Sequence, residues 1–176
     1  MGLKINPYTG LVLSIFLFLI SISGSVLMVD ETVVVPEYGY VEWPIQVYPG
    51  QVIRAIASVP TDDTSEIIYG SLELLILDEK NFVYYESGDH GDIRERSNEW
   101  ISSNNWDGID VNIWWFGRVH VVLNNEKALE RDTSKASEII IAILRPYGYL
   151  TIPSIVFIFV CLYKSYRQYL KDFGKH

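Results

Sequence analysis

Two apolar runs bracket a stretch in which apolar and polar positions alternate. The first, Gly10 to Val29, contains no charged residue; as a helix its twenty residues would reach about 30 Å, the hydrocarbon thickness of a bilayer. The second, Tyr147 to Tyr163, has 17 residues, with Pro153 inside it and Tyr147, Tyr149 and Tyr163 where interfacial aromatics belong. The pattern predicts a membrane helix over 10–29, a second over 146–163, a cytoplasmic lead over 1–9 and a basic cytoplasmic tail over 164–176. The alternative for 10–29 is a cleaved signal peptide, with Lys4, then Leu11 to Ile20, then Ser21-Ile22-Ser23 as its parts.

Between the runs, a period of two recurs. Val41, Trp43, Ile45 and Val47 alternate with Glu42, Pro44 and Gln46, which reads as a half-buried strand. Pro44 cannot donate to a ladder, so that strand belongs at an edge or carries a bulge. Tyr48-Pro49-Gly50 has turn chemistry, and Gln51 to Val59 returns as the next strand. Ile67 to Asp78 is apolar on both faces and reads as a covered strand. Phe82 to Glu86 fits a short helix or a strand. Val111, Ile113 and Trp115 share one parity; Val119, Val121 and Leu123 form the next apolar face, and Ile139, Ile141 and Ile143 the last. Seven to eight short strands separated by turns predict an antiparallel β-sandwich over 30–145. Trp43, Ile53, Leu74, Ile113, Val121 and Ile141 are its expected core.

Charge adds an orientation. The 176-residue chain carries a net charge of −8. From Asp30 to Arg145 there are 21 acidic and 9 basic residues, whereas the flanks hold Lys4, Lys164, Arg167, Lys171 and Lys175 against Asp172 alone. Basic flanks around an acidic middle predict both termini in the cytoplasm and the sandwich outside, in a two-helix protein of the cell membrane. An acidic domain excludes nucleic acid as a natural partner. The single cysteine, Cys161, lies in the second apolar run, so the outer domain has no disulfide. That absence suits an archaeal or bacterial envelope protein.

Chemistry is sparse. Asp62-Asp63 and Asp89 with Asp92 are the local acidic pairs that two sandwich loops could offer to calcium, although Asp and Gly are also ordinary turn residues. His120, beside Arg118, either titrates or meets an anion, or is simply an exposed strand histidine. No nucleophile motif, paired Cys-His or P-loop is present, so the sequence points to no enzyme and to no cofactor. Trp114 has outward parity and, with Trp106 or Tyr84, would make an exposed aromatic interaction surface.

The order of three segments resembles the jelly-roll sandwich of the GOLD domain in p24-type membrane proteins. These are Leu72 to Phe82 (LELLILDEKNF), Trp114 to Asn125 (WWFGRVHVVLNN), and a final strand that runs straight into a membrane helix. The resemblance implies a membrane-anchored sandwich that binds proteins or lipids. The chain departs from p24 proteins in lacking a luminal disulfide and a coiled coil. The expected function is a non-catalytic accessory or interaction subunit, with the bilayer and either a membrane-protein partner or a second copy as partners. The alternative is an extracytoplasmic ligand-binding or sensing module for carbohydrate or calcium, and the third reading is an enzyme.

Overall fold

The computed structural model describes residues 7–60, 71–88, 97–101, 105–126 and 134–173. Helix α1 (Pro7–Ile22) comes first, followed by strands β1 (Ser25–Val35), β2 (Tyr40–Val47), β3 (Val52–Ser58) and β4 (Leu72–Asp78). Helix α2 (Glu79–Glu86) precedes β5 (Ser97–Ile101), β6 (Asp107–Asn112), β7 (Gly117–Asn124) and β8 (Lys135–Leu144). A 3-10 turn (Gly148–Leu150) leads into α3 (Thr151–Phe173).

The strands form two four-stranded sheets, β1-β8-β3-β6 and β2-β7-β4-β5. The pairs β1:β8, β2:β7, β3:β6 and β4:β5 are all antiparallel. The chain therefore folds as one long ribbon, β1 to β4 against β8 to β5, wound over a barrel-like core. That winding is a jelly roll. The inward parity of each strand fills the space between the sheets: Ile45 and Val47, Ile53 and Ala55, Leu72, Leu74 and Ile76, Val119, Val121 and Leu123, Ile139 and Ile141. Of the six expected core residues, Ile53, Leu74, Ile113, Val121 and Ile141 are buried, while Trp43 sits at the rim and donates its Nε1–H to Glu31 Oε1 at 2.8 Å. Pro44 lies on β2, an edge strand, where its missing N–H costs nothing.

Short helix α2 covers the outer face of the second sheet. Asp78 caps it, its Oδ1 accepting from the Asn81 N–H at 2.7 Å. Phe82 and Tyr85 pack on Leu75, Leu77 and Val122. This explains why β4 is apolar on both faces.

The first apolar run does not make one helix. It breaks at Ser23-Gly24, where Gly24 adopts φ +88°, and Ser25 enters β1 opposite Leu144 of β8. Val26 to Val29 are spent on strand pairing rather than on a membrane span. The remaining helix, α1, has 16 residues and reaches only about 24 Å. Among the described residues a single helix is long and apolar enough to cross a membrane, Gly148–Lys171. The two-span fold is therefore corrected to a sandwich with one spanning-length helix. The multi-pass localisation with both termini in the cytoplasm is withdrawn with it. Residues 164–173 continue α3 without a break.

Helix α1 packs along α3 through small residues. Gly10, Ser14 and Ser21 are buried on α1, and Ser154 and Cys161 on α3. Ser21 Oγ donates to Phe18 O at 2.7 Å and accepts from Thr151 Oγ1 at 3.0 Å.

The junction between sandwich and α3 is tight. Arg145, at φ +53°, donates its N–H to Gly24 O at 3.0 Å, tying the two chain ends of the sandwich together. Gly50 lies against Gly148: a Cβ on Gly50 would stand 2.5 Å from Gly148 O. Gln51 Nε2 donates to Pro146 O at 2.7 Å, and Gly50 N donates to Ile113 O at 2.8 Å.

Candidate functional site: the outer face of the second sheet

Residues directly paired across strands point to the same face of a sheet. In the second sheet Tyr40 is opposite Asn124, Asn124 is opposite Glu73, and Glu73 is opposite Trp100. These four residues form one row across all four strands, on the outer face and at the end away from α3. The row reads aromatic, amide, carboxylate, aromatic. Its polar centre is deeply set, with Asn124 fully buried and Glu73 only 2% exposed, while the Trp100 ring is 41% exposed.

A carboxylate at that depth needs donors. Asn98 Nδ2 reaches Glu73 Oε1 at 3.2 Å, and Asn124 Nδ2 reaches Oε2 at 3.3 Å. The Asn124 amide is oriented in turn by the Glu126 N–H, which donates to its Oδ1 at 2.9 Å. Tyr85 of α2 stands edge-on to Tyr40, ring centroids 5.3 Å apart. Burial, then the negative charges of Glu126 and Glu73, push the Tyr85 phenol well above its ordinary range. Burial and then Glu86 raise Tyr40 in the same direction. Both rings therefore stay protonated, as hydroxyl donors beside carboxylate acceptors.

Two rows nearer the helices, His120 is 4% exposed rather than an exposed strand residue. Its Nδ1 lies 2.6 Å from Glu42 Oε1 and its Nε2 3.0 Å from Glu79 Oε2, with the ring stacked on Phe82 at 4.1 Å. The polar parity of β7 would place it in water, but α2 covers that face.

The aromatic surface expected from sequence is dispersed. Trp106 and Trp114 flank β6 at its opposite ends, and Tyr84 is on α2 beneath Lys80 Nζ, 5.9 Å from the ring centroid. Trp114 is 79% exposed. Trp115, given core parity by the alternation, is partly exposed because β6 ends at Asn112 and the parity ends with it. Asp62, Asp63, Asp89 and Asp92 lie outside the described residues. Among the described residues no group of three or more His, Cys, Asp or Glu is placed to hold a metal.

The Tyr40–Asn124–Glu73–Trp100 row escaped the sequence reading because it depends on the register of four strands. Its one sequence signal was Glu73, a charge inside the apolar LELLILD strand.

No protein-family model matches the chain. No curated protein matches it either. Among solved structures, a chain described as "CBM4 structure and function" is similar at 10% identity, with a TM-score of 0.35, covering 70% of this chain and 79% of that one. The jelly-roll assignment stands on the strand order, not on that likeness. Nothing in these comparisons singles out the GOLD domain.

Proposed function

We propose that this protein is a membrane-anchored, non-catalytic binding module whose ligand is polyhydroxylated, a carbohydrate chain in chemical class. The observation that carries the reading is the cross-sheet row Tyr40–Asn124–Glu73–Trp100. An exposed indole offers a flat apolar face for a sugar ring. Tyr40, part-exposed at the other edge of the row, offers a second aromatic face, while buried Glu73, braced by the amides of Asn98 and Asn124, fixes the strands that carry the two rings. None of these groups is paired as nucleophile and base, so binding rather than turnover fits the set.

Helix α3 is the anchor in this reading. The basic residues Lys164, Arg167 and Lys171 near its far end favour the cytoplasmic side there, which puts the sandwich outside. The interaction-subunit reading has less support, because Trp114, Trp106 and Tyr84 do not converge.

The test is affinity electrophoresis of the detergent-solubilised full chain through gels containing soluble polysaccharides, with W100A and E73Q as variants. Retardation by at least one polysaccharide, reduced tenfold or more by W100A at unchanged melting temperature, is the expected result. Unretarded wild-type protein across neutral, acidic and aminated polysaccharides would sink the reading.

A further inference from the structure

The end of the sandwich nearest α3 carries a concentration of exposed aromatic and aliphatic residues that the ligand row does not use. Trp114 and Phe116 stand on the β6–β7 loop, 79% and 69% exposed. Tyr48, on the β2–β3 turn, makes edge contacts with Phe116 at 5.2 Å and lies 5.7 Å from Tyr149, at the root of α3. Val26, Leu27 and Met28 open β1 at the same end and are also exposed. Trp114, Tyr149 and Ile152 share a cavity of about 360 Å³ between sandwich and helix, and among the described residues Arg145 is the only charged one lining it.

Loop, turn and helix root form one rigid block. Besides the Gly50–Gly148 contact and the Gln51–Pro146 bond, Ile113 N donates back to Gln51 O at 2.9 Å. A block fixed to the start of a membrane-crossing helix cannot lift away from the membrane surface. Its side chains are those that favour the headgroup region: amphipathic Trp and Tyr, aliphatic neighbours, and one arginine, Arg145.

We propose that the Trp114–Phe116 loop and the Tyr48 turn are a second membrane contact, seated in the lipid headgroup region beside α3. The occupant of this surface is lipid. The contact holds the sandwich at a fixed angle and keeps the Tyr40–Asn124–Glu73–Trp100 row at the end facing away from the bilayer. The inference rests on α3 crossing the membrane, not on what the row binds.

The test uses the full chain with C161S in phosphatidylcholine/phosphatidylglycerol nanodiscs, carrying a single nitroxide through W114C, F116C, W106C or Y84C. Positions 114 and 116 should be relaxed more by oxygen than by a nickel chelate, and positions 106 and 84 the reverse. Equal nickel access at 114, 116 and 106 overturns the proposal. Protection of 114 and 116 from both reagents also overturns it, because it would mean a protein covers the rim. In parallel, a diazirine-bearing phospholipid should label the unaltered chain at both α3 and 114–116. Label on α3 alone sinks the rim contact while leaving the anchor standing; no label on either sinks the anchor.

Discussion

His120 Nδ1 stands 2.6 Å from Glu42 Oε1, and this pair fixes the ring that α2 closes over. The other ring nitrogen, Nε2, stands 3.0 Å from Glu79 Oε2 on α2. The imidazole then links an edge strand, a central strand and a surface helix.

That link makes α2 docking sensitive to acid. The hydrogen bond with His120 draws Glu79 below its ordinary value; burial opposes this, and the charges of His120 and Arg118 add to the lowering. A lowered carboxyl stabilises the fold above its unfolded value, near 4.5, and that contribution is lost as pH falls through the lower folded value. E79Q should melt below wild type at pH 7. The gap should hold down to about pH 5 and close below about 4.5. A gap of unchanged size at pH 3 would show that Glu79 charge is not what the contact uses. The melting curves should be followed by near-UV circular dichroism, which reports the stacked Phe82 and its neighbours.

Leu74 lies at the centre of the core and is fully buried. Leu74→Ala removes three carbons from between two sheets that cannot both collapse onto the gap. The expected cost is about 2–5 kcal/mol in urea denaturation. A loss under about 1 kcal/mol would mean that the two sheets repack freely.

Much of this core was legible because a one-residue slip inverts every side chain of a strand. Parity in β3, β4, β7 and β8 therefore assigned Ile53, Leu74, Val121 and Ile141 correctly. Parity failed where a strand ended early, at Trp115, and where a neighbouring element covered a polar face, at His120. The first apolar run misled for a different reason. Hydropathy cannot distinguish a span from a short helix followed by an apolar strand, and here Gly24 divides the two. Gly24, inside the apolar run, was the available hint. The Tyr40–Asn124–Glu73–Trp100 row was invisible because Tyr40 and Trp100 are sixty positions apart in sequence, on opposite edge strands, and fall into one row only through strand register.

Gly50 and Gly88 both have positive φ, +88° and +76°, but only Gly50 is crowded. Among the described residues a Cβ on Gly88 meets nothing within 4 Å, whereas on Gly50 it meets the Gly148 backbone. G88A should cost only the left-handed strain, about 1–2 kcal/mol. G50A adds an overpacking term of about 1–3 kcal/mol and should loosen the hold of the sandwich on α3. Thermal melting separates the two variants, and equal losses would show that the turn does not bear on the helix root.

Ser21 and Thr151 test whether α1 remains beside α3. Their hydroxyl oxygens are 3.0 Å apart, so cysteines at both positions are within reach of a disulfide. The variant S21C/T151C, in a C161S background, should cross-link under mild oxidation in native membranes. A protease site engineered at 127–133 would then leave the two halves joined on a non-reducing gel and separate on a reducing one. S21C/F173C is the control, because α1 and α3 run in opposite directions and Phe173 lies at the far end of α3. Cross-linking of the first pair and not the second is the expected outcome, and it would mean α1 is retained as a short buttress against the single spanning helix. If the cleaved halves separate without reductant, and N-terminal sequencing begins near Gly24, α1 is a removed leader and α3 anchors the sandwich alone.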